Sequence, residues 1–412
     1  MPIIRETRFL RVKLDMTGRC QLRCIMCHFA HPGFVENKET MGRELLEKVA
    51  GELFPRAHDV VLSSSAEPLM APELPRALEL CRQHEVPNFH FSTNGLGLTR
   101  KIMSKILEVQ MPLFTISIDA GTKETFERIR TPAKWDRLMN RFDLIEEMKK
   151  ESGSTYPELS ATAVLMRDNI REMPGLVRLM KSKGVRYMNF VHMAVMGGLG
   201  VDDQSLLNEP KLANDVLAEV QRVADEVGIE VQLPMPIPED IDARSETDVE
   251  RSSEGGGAAI IAPGDEDIAA SSYSVAEYLN AKNKEFLLKA KEKDHHNRPC
   301  YFPWYYIHVN LNGTVFPCGC WFEFTEFGDF KTQTFEEIWT GEKYQALRKQ
   351  LRNMELRDVC ANCSVANMGR PDVKASFSHR AKVRRLKADE EWLPDGTITI
   401  SSDKLGDGDA DS

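Results

Sequence analysis

Through the first 190 or so residues, short apolar runs alternate with longer stretches in which apolar side chains recur at helical spacing. The runs, at 9–14, 60–63, 88–92, 114–118, 159–166 and 187–193, are rich in β-branched and aromatic residues and read as strands. Helical patterns over 43–53, 73–84, 101–109, 135–150 and 169–183 separate most of them. Repeated strand-helix alternation predicts an α/β protein with a parallel sheet, either open or curled into a complete or partial barrel. In each case functional groups belong at the C-terminal ends of the strands.

The alternation stops near residue 234. A Pro/Gly/Ser and acid-rich stretch follows, whose composition predicts a flexible insertion with a connecting helix over 234–296. An aromatic and cysteine-rich segment occupies 297–390, and a polar tail over 391–412 is expected to be disordered. Residues 1–233 then form the core domain. With 412 residues, of which 42% are hydrophobic, the chain is long enough for one large folded domain and a smaller one.

Charge changes this picture little once it is located. The net charge is −10. Residues 239–267 hold ten carboxylates against two arginines, and 402–412 hold four aspartates against one lysine, so these two segments carry −11 and the remainder is near neutral. No nucleic-acid-binding field follows from that balance. The N-terminus lacks the apolar stretch of a signal peptide, and no run is long enough to span a bilayer, so a cytoplasmic protein without a membrane partner is expected. In that compartment the nine cysteines stay reduced and their clusters read as metal sites.

Cys20, Cys24 and Cys27 follow the first predicted strand in TGRCQLRCIMCHFA, spaced C-x3-C-x2-C. One loop can wrap such closely spaced thiolates around a compact inorganic centre, and thiolates are the ligands of iron-sulfur clusters. Three protein ligands leave one iron open to chelation. A zinc site that borrows His28 or His31 is the alternative on residue types alone.

This part of the chain resembles the radical S-adenosylmethionine (SAM) superfamily, and the resemblance covers most of residues 8–193. It implies a partial (β/α)6 TIM-like barrel. It also implies a 4Fe-4S cluster on Cys20, Cys24 and Cys27 whose open iron binds SAM, with reductive cleavage to a 5'-deoxyadenosyl radical and an electron supplied by a flavodoxin or ferredoxin-type donor. VLSSSAEPLM stands where the family's Gly-Gly-Glu-like motif binds the SAM amino group, which implies that role for Glu67, with Ser65 and Ala66 in place of the glycines. FSTNG places Thr93 and Asn94 at the third strand end, and TISIDAGTKETFERIR resembles the fourth-strand Ser-x-Asp-Gly segment. Asn94 and Ser117 are thereby implied as SAM contacts, Arg130 as a partner of the SAM carboxylate, and Asp119 as a turn cap. The chain has Met26 where the family often has an aromatic residue before the third cysteine, so Met26, His28 or Phe29 would pack on adenine.

A second group consists of Cys300, Cys318, Cys360 and Cys363. A hairpin turning at Asn312-Gly313 would carry Cys318, and four thiolates close a centre suited to electron transfer or structure. The spacing resembles the SPASM/twitch-type auxiliary domain of the same superfamily. With no cysteine after Cys363, it implies one auxiliary 4Fe-4S cluster. Zinc on the same four thiolates is the alternative, and Cys320 is a neighbouring thiol that could replace Cys318. Cys81, in a helical apolar pattern, reads as core.

Three functions follow as expectations. The first is a radical SAM enzyme acting on a small molecule such as a sugar or aminocyclitol, with redox help from the auxiliary cluster; the cysteine layout is similar to that of an aminocyclitol-oxidising family member. The second is a peptide maturase, and the third a metal-binding scaffold without catalysis. In the enzyme readings the auxiliary domain is expected to close the SAM end of the barrel.

Overall fold

The computed structural model describes residues 8–62, 65–194, 198–237, 300, 302–319 and 325–353, together with two short strands between 390 and 400. The predicted insertion lies outside the described residues from 238 onward, as do Cys320, Cys360 and Cys363.

Six βα units form the core. The strands are β1 (Leu10–Leu14), β2 (Ala57–Leu62), β3 (Asn88–Thr93), β4 (Leu113–Ser117), β5 (Glu158–Leu165) and β6 (Val185–His192). The helices are α1 (Arg43–Leu53), α2 (Leu74–Gln83), α3 (Arg100–Glu108), α4 (Lys123–Ile129), α5 (Trp135–Ser152), α6 (Met173–Ser182) and α7 (Pro210–Val227). A short β7 (Glu230–Gln232) follows. All seven strands are parallel to their neighbours, in chain order. This is a mixed α/β fold with a partial TIM-type barrel. Among the described residues the sheet order is linear, with no bond between its end strands, so the barrel is open.

Side-chain alternation explains both faces of the sheet. Leu10, Val12, Leu14, Val60, Leu62, Phe89, Phe91, Phe114 and Ile116 point toward the helices and are almost fully buried. The opposite set, related by register, is mostly polar, with Arg11 and Lys13 on β1, Asp59 on β2, His90 and Ser92 on β3, Thr115 and Ser117 on β4, Ser160 and Thr162 on β5 and Asn189 on β6, interrupted by Val61 on β2 and Leu113 on β4. These line the lumen. Its floor is tied by the Arg11–Asp59 ion pair (3.0 Å) and by His90 beside Asp59 (3.6 Å).

The cysteine-rich segment continues the same sheet. After α8 (Phe302–Tyr305), β8 (Tyr306–Val309) pairs parallel with the free side of β1, and β9 (Thr314–Phe316) returns antiparallel. The hairpin turns at the expected Asn312-Gly313. Gly313 adopts φ 93°, a conformation open to glycine, and its missing Cβ leaves room for Asp329 Oδ1 and Leu45. β10 (Gly328–Asp329), α9 (Phe335–Trp339) and α10 (Glu342–Asn353) complete this part. Arg348 of α10, 1% exposed, donates to the Trp339 carbonyl (2.6 Å) and the Pro303 carbonyl (3.0 Å) and stacks over Trp339, tying α8 to α9.

Of the segment expected as a tail, β11 (Glu390–Trp392) and β12 (Ile398–Ile400) are described and pair antiparallel, and the rest of 391–412 lies outside the described residues. The short apolar alternation Ile398-Thr399-Ile400 is a strand signal that bulk composition hides. Of the auxiliary segment expected at the SAM end of the barrel, Cys360 and Cys363 also lie outside the described residues. Because β8 runs parallel to β1 and starts level with Arg11, Cys300 before it and Cys318 after β9 flank the N-terminal end of β1.

Candidate cofactor site at the strand ends

Cys20, Cys24 and Cys27 lie on the loop that leaves the C-terminal end of β1. Gly18 makes the turn possible: a Cβ there would meet the Asn37 carbonyl oxygen at 2.4 Å. The loop is then stitched to its surroundings by backbone groups. Glu67 N–H donates to the Arg19 carbonyl (3.0 Å), Arg23 N–H to the Thr131 carbonyl (2.6 Å) and Ile25 N–H to the Ile129 carbonyl (3.0 Å). The last two bonds form an antiparallel ladder that sets Cys24 opposite Arg130. Glu36 completes the frame, accepting from Cys20 N–H (3.1 Å) and pairing with Arg23 (3.1 Å).

All three thiols are unpaired and partly accessible. Burial pushes the Cys20 thiol up to about 11 and Cys24 up to about 12, and raises Cys27. Left alone, three such thiols stay protonated; a bound cationic centre reverses that preference and makes them thiolates. Among the described residues no three His, Cys, Asp or Glu side chains converge as the ligand set of a single ion. Three thiols spread along one loop fit a cluster, in which each thiolate takes its own iron. The donor set therefore fits an iron-sulfur cluster.

Glu67, at the end of β2, is 3% exposed and serves as hub of the neighbouring strand ends. Its Oε1 accepts from Leu69 N–H (3.0 Å) and from the Thr93 hydroxyl, and its Oε2 from Asn94 N–H (2.8 Å). Burial raises its carboxyl above the ordinary range, opposed by these three donors and by the Arg130 charge. Asn94 Oδ1 accepts from Leu96 N–H and from Gln21 Nε2, both at 3.0 Å. Ser117 is half-buried at the end of β4, on the lumen face opposite Thr162.

Arg130 is 7% exposed and committed to Asp119, whose Oδ2 lies 2.7 Å from Nη2. Asp119 does more than cap a turn, since its Oδ1 also accepts from Val164 N–H on β5 (2.8 Å). Burial raises the Asp119 carboxyl, opposed chiefly by the Arg130 charge. The guanidinium in turn lowers the Cys24 and Cys27 thiols against the effect of burial. Met26 packs against a small apolar cluster of Ile129, Met166 and Met193, and His28 against Phe29 (4.5 Å) and Phe34 (5.1 Å). His31 Nδ1 accepts from Gly33 N–H (3.0 Å). Cys81 is fully buried on α2, as its pattern predicts.

Two participants escape the motif reading. Gln21 sits inside the first cysteine spacer and reaches Asn94, and Asp15, just past β1, binds His308 of β8 at 2.7 Å while accepting from Ser65 (3.3 Å). The polar residues between conspicuous cysteines were the available signal for Gln21. For Asp15 there was none, because its partner is 293 residues away.

A thiolate loop and a buried carboxylate at the strand ends of a partial barrel describe a cofactor-dependent iron-sulfur protein. The chain carries a radical SAM superfamily domain, matched over residues 14–180, and a SPASM iron-sulfur cluster-binding domain, matched over residues 300–364. The first domain implies SAM and a 4Fe-4S cluster, and the second implies auxiliary iron-sulfur clusters.

Among curated proteins the chain is similar to an Fe-coproporphyrin III synthase of Methanosarcina barkeri, 24% identical over 222 residues that make up 53% of each chain. It is also similar to a GTP 3',8-cyclase of Agrobacterium fabrum, 24% identical over 45% of this chain and 51% of that one. The chain thus spans about half the length of the curated relatives it matches. In fold it resembles Streptococcus suis SuiB bound to S-adenosylmethionine (TM-score 0.55, 11% identity, 83% of this chain and 68% of that). It also resembles anSMEcpe with bound AdoMet (TM-score 0.55, 15% identity, 85% and 86%). Among the described residues no helix is long and apolar enough to cross a membrane.

Proposed function

We propose that this chain is a radical SAM enzyme acting on a small polar molecule held in the barrel lumen, between a SAM-binding cluster on Cys20, Cys24 and Cys27 and one auxiliary cluster on Cys300, Cys318, Cys360 and Cys363. The observation that carries the reading is that Cys20, Cys24 and Cys27 follow the C-terminal end of β1 while Cys300 and Cys318 flank its N-terminal end, with a mostly polar lumen wall between them. When bound, the cluster and SAM supply reductive cleavage of a carbon-sulfur bond and a 5'-deoxyadenosyl radical able to abstract hydrogen from substrate.

The chain's own residues hold and orient. Glu67 accepts from the SAM amino group, since its Oε2 carries a single internal hydrogen bond and has capacity for another. Ser117 and the Asn94 amide offer further polar contacts at the neighbouring strand ends. Arg130, already paired with Asp119, faces Cys24 and balances negative charge there. Lys13, Ser92, Ser117, Thr162, Asn189 and His308 present a polar surface to the substrate. Oxidation of a substrate radical by the auxiliary cluster is consistent with that cluster's position across the lumen, and a flavodoxin or ferredoxin-type protein is the proposed electron donor.

Iron and sulfide analysis of the anaerobically reconstituted chain tests the ligand assignment. Two four-iron clusters require about eight irons per chain. Replacing Cys20, Cys24 and Cys27 together by Ala should halve that figure and leave the auxiliary absorbance in place. Zinc in place of iron at the auxiliary thiols, or an unchanged iron content in the triple variant, contradicts it.

A further inference from the structure

Gln21 follows Cys20 directly, and the orientation of its amide is fixed by a chain of donors that begins at the backbone. Leu96 N–H can only donate, so the Asn94 atom it meets at 3.0 Å is the carbonyl oxygen Oδ1. The Gln21 atom 3.0 Å from that same oxygen must then be the NH2 group. What remains is Gln21 Oε1, an acceptor buried from solvent and without a donor among the described residues. A buried acceptor left unsatisfied costs about 1–3 kcal/mol. Such a group in the cofactor loop points to a missing donor.

The missing donor belongs beside Glu67. Asn94 joins the two groups, binding Gln21 through its side chain and the Glu67 carboxylate through its backbone N–H (2.8 Å). Glu67 alone is a poor host for an ammonium group. Its Oε1 already takes two donors and its Oε2 one, so little acceptor capacity is left for a group with three N–H bonds.

We propose that Gln21 Oε1 is a second acceptor, beside Glu67, for the α-amino group of SAM. This rests on the proposed function and adds to it a cofactor-binding residue that no motif contains. Gln21 touches no reacting atom in this account; it recognises the amino-acid end of the cofactor.

The test uses the full reconstituted chain and binding rather than turnover. Equilibrium dialysis compares SAM with its analogue lacking the α-amino group, for wild type, Gln21→Met and Gln21→Glu. Gln21→Met keeps length and removes the acceptor, and should weaken SAM about 10-fold, the loss of one hydrogen bond to a charged group. It should leave the deaminated analogue within about twofold. Gln21→Glu retains an acceptor for the amino group but replaces the NH2 that donates to Asn94 Oδ1 with an oxygen, so it should bind SAM more tightly than Gln21→Met without matching wild type. Iron content is measured in parallel. Should Gln21→Met lose its cluster, Gln21→Asn, which withdraws the carbonyl by one methylene, is expected to show the same selective loss. Equal weakening of both ligands, or of neither, overturns the proposal. A wild-type chain that binds no SAM overturns the enzyme reading itself, which is a separate outcome.

Discussion

At the scale of single residues, the loop carrying Cys20, Cys24 and Cys27 depends on close approach more than on any one strong bond. A methyl group at position 18 would sit 2.4 Å from a backbone oxygen, so either the 34–39 segment or the cysteine loop must shift. Gly18→Ala should therefore cost about 1–3 kcal/mol in unfolding free energy, as overpacked sites do, and lower the iron retained after reconstitution. Denaturant unfolding and iron assay read both effects; an unaltered variant would mean the loop is looser than its geometry implies.

Lys13 gives a pH test at the same scale. Burial pulls its amine below the ordinary lysine value, reinforced by Arg11 and opposed by Asp15, the larger of the two charge effects. Between the folded-state value and the ordinary one, the unfolded chain binds more protons, so stability rises with pH through that window. Below both values the full penalty of a buried charge is present. Lys13→Met should accordingly stabilise the protein at pH 7, with the gain shrinking as pH approaches about 10.4. Urea melts at pH 7 and pH 10 compare the two, and a variant less stable at pH 7 would contradict the sign.

The positions of Cys20, Cys24, Cys27 and Ser117 just at or after strand ends were legible because strand ends and short spacers are visible in a linear pattern. Gln21 was not legible, since its role appears only when Asn94, 73 residues on, reaches it. Arg130 caps the C-terminus of α4, and its commitment to Asp119 and its position opposite Cys24, which follow from the backbone bonds of the cysteine loop, had no signal in the sequence.

Among the elements, the six strands and five helices expected from periodicity all occur, with ends shifted by a few residues. Their apolar faces are broad enough that tertiary packing and local pattern agree. Helix α4 was missed. Its seven residues, started by the Thr122 cap, are too few to display a period, and Glu172 secures them by accepting from Gly121 N–H (2.8 Å) and the Thr125 hydroxyl (2.6 Å).

The attachment of β8 to β1 was equally hidden, because pairing across nearly 300 residues has no local signature. Asp15 and His308 sit at that seam, and both are at most 3% exposed. Asp15→Asn removes the charge from this bond and should cost about 2–3 kcal/mol. Hydrogen exchange should show the loss of protection concentrated in β8 and β9, with β3 to β5 unchanged. A uniform loss across the sheet would mean that the seam is not a separate unit of stability.

For the whole molecule, the continuous sheet turns two cysteine-bearing segments into opposite ends of one lumen. Separate domains joined by a linker would leave their distance free, whereas strand pairing sets it by the length of β1 and its flanking loops, on the order of 15–20 Å. The lumen wall carries a lysine and mostly polar side chains, a different surface from the apolar one that β1 to β4 turn toward the helices. The fold class was readable from the chain. The end of the barrel at which the auxiliary cysteines lie was not, because it depends on the direction in which β8 joins the sheet.

On the proposed function, the loop after β1 holds a cluster that cleaves SAM. Incubating the anaerobically reconstituted chain with SAM and dithionite, and quantifying 5'-deoxyadenosine by mass spectrometry, tests it most directly. 5'-Deoxyadenosine is expected from the wild type and none above background from Cys24→Ala. No product from a wild type with its full iron content, or equal product from the variant, would contradict it.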